Sequence, residues 1–235
     1  MKVRNLHSWN VSYKRAVAIQ QNLRDKLILR ASGKRFRLVA GADISYAKKS
    51  DQFFGAVVVL SLPDLEMVDQ ATAFGRVTFP YIPGLLSFRE APILLKAFEK
   101  LETTPDLAVF DGQGTAHPRG LGLACHLGLA LDVPSIGCAK SRLCGEHDEV
   151  GKKPGSHVPL RLNGKTIGAV VLTREKVKPI FVSPGHRMGI RSAVSWALRC
   201  GAGYRVPEPT RRAHHLVNEL RIQHTQAIDL PQRIG

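Results

Sequence analysis

The stretch between Ala91 and Cys138 constrains this chain most. A helix-period pattern around Ala91 to Leu101 gives way to the wholly apolar run Leu107-Ala108-Val109-Phe110; a second helix-period pattern near Leu121 to Leu131 then leads to a short strand-like run from Pro134 to Cys138. A short run with no polar member reads as a strand buried on both faces, and helices alternating with such strands are the crossovers of parallel pairs. The segment before it is different. Leu38 to Tyr46, Phe54 to Leu62 and the more polar Leu65 to Val77 are separated by Lys/Ser/Asp and Pro-Asp turns, the pattern of an antiparallel meander. Together they predict an α/β domain with a mixed central sheet that begins with a three-strand antiparallel meander and carries helices on both faces.

The flanks fit the same frame. Ala16, Ile19, Leu23 and Leu27 recur at helical steps amid basic residues. Val158 to Leu162 and Thr166 to Leu172 are joined by Asn163-Gly164, the strongest short hairpin signal. Pro179 to Val182 reads as another strand, and Met188 to Cys200 and Pro209 to Leu220 as closing helices, with Pro209 in a first turn where its missing donor is harmless. At 235 residues with 44% hydrophobic content, residues 1–235 are expected to form a single domain with its own core. No apolar stretch is long enough to span a bilayer and the start lacks an export-type apolar segment, so a cytoplasmic protein is expected.

Charge supplies the first functional clue. Lys and Arg number 34 against 19 Asp and Glu, a formal net charge of +15. A globular chain with such a field attracts polyanions, which makes nucleic acid the leading partner; no long basic amphipathic segment favours a membrane surface. The four cysteines have no C-x-x-C spacing and are expected as reduced thiols in the core.

Against this background a few residues stand out. Asp43 lies within Val39-Ala40-Gly41-Ala42-Asp43-Ile44, where an unpaired carboxylate would be costly; it is either a strand-end turn residue or a metal ligand. Asp111 follows Phe110 at the carboxyl end of a central strand, where open α/β sheets place their ligands, although Asp-Gly is also an ordinary turn. Ser87-Phe88-Arg89-Glu90 fits a capping box, but Pro92 argues for a helix that begins near itself, leaving Glu90 at the helix start and free to face a site. Three acids on separate elements would make a divalent-metal cluster. Tyr81, in the rigid turn Pro80-Tyr81-Ile82-Pro83-Gly84, is either a base-stacking ring or a core tyrosine. The segment Gly112 to Gly120 matches no phosphate-loop pattern but has backbone donors for a phosphate or base, and Lys140 and Arg142 are phosphate-contact candidates. At about 100° per residue, His214 flanks the apolar face of its helix and His215 points away. His117 is a weaker case, and His126 reads as a helical surface residue.

Five segments in order, taken together, resemble the endonuclease V family: Gly41 to Tyr46; Pro80 to Gly84 continuing to Phe88-Arg89-Glu90; Asp111 to Gly114 through His117-Pro118-Arg119; Gly137 to Ser141; and Pro207 to Arg211 continuing to His214. The resemblance runs from about Leu38 to Leu220. It implies a ribonuclease H-like fold and Mg²⁺-dependent hydrolysis, with Mn²⁺ as a substitute, of the second phosphodiester bond 3′ to deoxyinosine, leaving a 3′-hydroxyl and a 5′-phosphate. It further implies that Asp43 and Asp111 hold the metal, Glu90 and His214 complete the catalytic group, and Lys140 supports the scissile phosphate. Tyr81 would wedge beside the lesion, with Pro83, Gly84, Gly112, His117 and Leu123 around the displaced base. Gly120 stands where many relatives carry a basic residue, and the His214 position is an acid in some members. The expected partner is inosine-containing DNA bound by a monomer; the alternatives are an inosine-specific endoribonuclease and a binder of deaminated bases that does not cut.

Overall fold

In the computed structural model, which describes residues 1–31, 33, 35–47 and 50–229, the side chains of 227–229 excepted, eight strands form one mixed sheet. Leu38–Tyr46 (β1), Gln52–Ser61 (β2) and Met67–Arg76 (β3) are the antiparallel meander. Leu107–Phe110 (β4) pairs parallel to β1, and Ser135–Ala139 (β5) parallel to β4. The hairpin His157–Leu162 (β6) and Lys165–Val171 (β7) joins through antiparallel Ile180–Pro184 (β8), giving the order β3-β2-β1-β4-β5-β8-β7-β6. Five helices accompany the sheet among the described residues: Tyr13–Arg24 (α1), Leu86–Glu99 (α2), Leu123–Leu131 (α3), Ile190–Arg199 (α4) and Glu208–Asp229 (α5).

The central strands are largely apolar because both faces are covered. Ala40, Ala42, Val57, Val59 and Phe110 face the core shared with α2 and α3; Val39, Val58, Leu60 and Val109 face the one shared with α4 and the start of α5. Helix α5 lies directly on Gly41, where a Cβ would stand only 2.0 Å from the Pro209 carbonyl carbon. Any side chain there would lift α5 off β1. Cys125, Cys138 and Cys200 are buried free thiols and Cys144 is half-buried. None of the helices in the described residues is long and apolar enough to cross a membrane.

Two local expectations are corrected. Helix α2 does not begin near Pro92: it starts at Leu86 and carries Pro92 inside, while Ser87, no capping residue, is buried against His126. A proline in a helix interior costs roughly 3 kcal/mol, but α2 buries Phe88, Ile93, Leu94 and Phe98, each worth about 1.5–3 kcal/mol. Tertiary burial therefore outweighs the local penalty. His126 is not on the surface; it is 0% exposed between α3 and α2, with Ser87 Oγ 2.9 Å from Nδ1.

Candidate active site and adjoining cleft

Strand register brings the two aspartates together. Ala42 pairs with Phe110 across the parallel β1–β4 seam, so Asp43 and Asp111, one residue further on, are neighbours on the same face at the carboxyl end of β4. The close approach of α5 at Gly41 carries His214 to this point, where its Nδ1 lies 2.6 Å from Asp43 Oδ2. Lys140, immediately after β5, forms an ion pair with Asp111. Glu90 comes from α2 on the other face of the sheet and stands close enough for both aspartates to act on it. Burial first, then the charges of Asp43 and Asp111, push its carboxyl up to about 8. Asp43 is also raised, chiefly by burial, with the His214 hydrogen bond opposing. The sheet thus gathers Asp43, Glu90, Asp111, Lys140 and His214, while His215 turns to Arg211, 3.1 Å away, on the exposed side of α5.

These residues suit a hard divalent cation. Carboxylate oxygens at the end of adjacent strands are the donors such an ion takes, and mutual repulsion among the acids is what a cation relieves. Among the described residues no three His, Cys, Asp or Glu side chains form a ready-made cage.

Beside this cluster lies a cleft of about 390 Å³, its lining shared by Asp111 and Lys140 with Tyr81, Pro83, Gly84, Gly112, His117 and Leu123. Tyr81 is 67% exposed, which removes the core-tyrosine reading. Leu143, on the loop after β5, is another exposed apolar side chain on the lining. The loop that carries Tyr81 is clamped at both ends. Arg89 donates from Nη1 to the Phe79 carbonyl at 2.7 Å while its guanidinium lies over the Phe53 ring. At the other end Gly84, with φ +78°, turns its carbonyl to Gln20 Nε2 at 2.9 Å, His117 Nε2 at 2.9 Å and Arg119 Nη2 at 2.6 Å. The Arg119 amide donates to His117 Nδ1, so both ring nitrogens are committed, with the proton on Nε2. Burial holds the His117 pKa down at about 4.

Gln20 and Arg119, which hold the Gly84 carbonyl, are the residues at this site that sequence reasoning missed. Gln20 had a readable signal: it sits at a buried position of α1 alongside Ala16, Ile19 and Leu23, a polar group on an apolar face. Arg119 lay within a segment already noted, but nothing local shows that its guanidinium reaches Gly84 and Gln20.

The endonuclease V family pattern matches residues 21–215. Endonuclease V of Myxococcus xanthus is 49% identical over 223 residues, covering 94% of this chain and 95% of its own. The crystal structure of endonuclease V from Streptomyces avermitilis superposes with a TM-score of 0.88 at 40% identity, covering 96% of this chain and all of that one. A crystal structure of Ciona intestinalis endonuclease V, in complex with a 23mer DNA containing an inosine followed by a ribo-adenosine, has a TM-score of 0.79 at 28% identity, covering 91% of this chain and 99% of its own. The shared architecture is the ribonuclease H-like fold. With matched segments, architecture and near-complete coverage in agreement, this chain belongs to the endonuclease V family of nucleases.

Proposed function

We propose that this nuclease recognises deoxyinosine in DNA and hydrolyses the second phosphodiester bond on its 3′ side, leaving a 3′-hydroxyl and a 5′-phosphate. The observation that carries the reading is the cleft itself: an exposed aromatic ring on its lining, a volume large enough to take a displaced base, and Asp111 with Lys140 on the same lining. A weakly paired base costs less to extrude, and an extruded one is read by its edge and by stacking. Tyr81 occupies the gap in the stack, and Pro83, Gly84, Gly112 and Leu123 shape the pocket. His117 acts through Gly84, whose carbonyl it holds. The relative bound to inosine-containing DNA supports the same class of substrate for this chain.

Asp43 and Asp111 would hold Mg²⁺, which Mn²⁺ can replace; the ion supplies charge neutralisation at the phosphate and a water made nucleophilic near neutral pH. Glu90, whose carboxyl is biased toward its protonated form by burial and by the two aspartates, would carry a proton beside them. Lys140 faces the charge that develops on the phosphate, and His214 holds Asp43 in place. Residues 1–235 would work as one catalytic domain and as a monomer.

One observation favours a second reading, in which inosine-containing RNA is the main substrate: the strand bound to the Ciona relative has a ribo-adenosine after the inosine. One experiment tests both. Single-inosine duplex DNA and matched inosine RNA are incubated with and without Mg²⁺ and the cuts are mapped. Faster cutting of the DNA, only with the ion and at the second bond, is expected; cutting without metal, or equally of undamaged strands, overturns the proposal.

A further inference from the structure

The Asp43–His214 contact is the last link of a longer chain. Asn218, one helical turn beyond His214, places its amide nitrogen 2.8 Å from the His214 carbonyl and 3.1 Å from His214 Nε2. On the other side, Ser45 Oγ lies 2.8 Å from Asn218 Oδ1, and Arg221 Nε lies 2.9 Å from Ser45 Oγ. Asp43 and Ser45 are alternate residues of β1 and so share the face that α5 covers.

The two ends of this chain set its direction. Arg221 can only donate, so Ser45 accepts from it and gives its own proton to Asn218 Oδ1. The backbone carbonyl of His214 can only accept, so the Asn218 atom facing it is the amide nitrogen; a flipped amide would set oxygen against oxygen. That nitrogen's other hydrogen points to His214 Nε2, which must accept. The ring proton of neutral His214 is then on Nδ1, directed at Asp43.

We infer that Asn218, backed by Ser45 and Arg221, is a positioning residue of this nuclease: it selects the His214 tautomer whose Nδ1–H aims Asp43. Unconstrained histidine favours the proton on Nε2, which would put a lone pair against the Asp43 carboxylate. The inference rests on the proposed role of Asp43 in cutting, but its structural half stands separately. Asn218 does not line the cleft.

The test reads the tautomer and the chemistry independently. Long-range ¹H–¹⁵N spectra of ¹⁵N-histidine protein, free of metal and nucleic acid and at a pH well above the ordinary histidine range, are assigned with a His214→Gln variant. Wild type is expected to show Nδ1–H alone at His214, Asn218→Ala a mixture, and Asn218→Asp, whose carboxylate can only accept, a proton on Nε2. In single-turnover cleavage Asn218→Ala is expected to lose about 10- to 100-fold, in the range typical of residues that orient a ligand, with inosine-duplex affinity and melting temperature unchanged. Asn218→Gln keeps an amide donor and recovers part. Asn218→Asp, although isosteric, cuts no faster than Asn218→Ala, the reverse of what a packing role predicts. Nε2–H in the wild type, or N218D cutting faster than N218A, overturns the inference. If Asp43→Ala cuts normally while the spectra are as expected, it is the functional reading of Asp43 that fails.

Discussion

His214 and His126 each stand in the middle of a hydrogen-bond chain, one at the α5–β1 seam and one at the α2–α3 seam. In the second chain the Ser8 carbonyl accepts from His7 Nδ1 at 2.8 Å, so His7 Nε2 accepts from His126 Nε2 at 2.6 Å and His126 Nδ1 accepts from Ser87 Oγ. The logic matches that of the first chain, but the tautomer is opposite and so is the setting. His126 is fully buried among Trp9, Phe88 and His7, and burial drives its pKa down to about 3, with His7 adding to the effect. His214 keeps 54% of its side chain exposed and ends on a carboxylate beside the cleft. A histidine whose partners are all protein and whose surroundings exclude water serves packing. One that leaves an edge open, next to acids that repel each other, is available to chemistry.

The comparison breaks first if the acids beside His214 are dispensable. Asp43→Ala and Asp111→Asn are expected to reduce cleavage to background at saturating Mg²⁺ while inosine-duplex binding, measured by anisotropy, is retained; either variant cutting at near wild-type rate removes the metal role. Next come the histidines themselves. His126→Ala should destabilise the fold by roughly 2–4 kcal/mol in urea titration, as large-to-small changes in a core do, yet leave the folded fraction cutting normally. His214→Ala should do the converse, with turnover reduced, stability unchanged, and partial recovery in His214→Asp. Equal effects on both readouts at both sites would erase the distinction.

Tyr81 tests whether the cleft beside His214 belongs to the exposed, functional half. Tyr81→Ala should weaken inosine-duplex binding by about 1–3 kcal/mol, the worth of one base–aromatic stack, and leave undamaged duplex unaffected. A loss shared by both duplexes would make the ring structural.

Acid stability sharpens the contrast from the other side. His126 and His117 have folded pKa values near 3 and 4, below the ordinary histidine value of 6.5. Between those limits the unfolded chain binds more protons, so the stability these two histidines contribute is complete above about 6.5 and falls as pH drops toward 4 and 3, while Glu90, raised to about 8, contributes in the opposite sense as pH climbs toward that value. The urea midpoint should follow that fall, and His126→Gln should flatten it; an unchanged slope would mean that His126 is not the buried neutral group described. His215→Ala is the smallest effect, within about twofold in single-turnover rate, as expected of an exposed substitution.

Much of this was legible locally. Alternating and continuous apolar runs marked the strands, Asn163-Gly164 the hairpin, and the meander-then-crossover order the mixed sheet, because period and turn chemistry are properties of adjacent residues. Asp43 and Asp111 stood out for a similar reason: a carboxylate within or just after an apolar strand is anomalous wherever the chain goes next. What local pattern did not carry was which groups meet. Pro92 pointed to a later helix start, and only the packing of Phe88 and Phe98 shows why α2 begins at Leu86. His126 read as surface because helical period cannot reveal that an all-apolar helix with one histidine is buried on every side.

The amino-acid sequence by itself determined the elements, the basic field and the residue types available for chemistry. Tertiary structure alone decided that Asp43 meets His214 across 171 positions, that Glu90 reaches the aspartates from the other face, and that three donors converge on the Gly84 carbonyl. The physical reason is range. Propensity and amphipathic period act over a few residues, whereas a hydrogen bond between distant elements exists only once the sheet register and the close approach of α5 at Gly41 have set their separation.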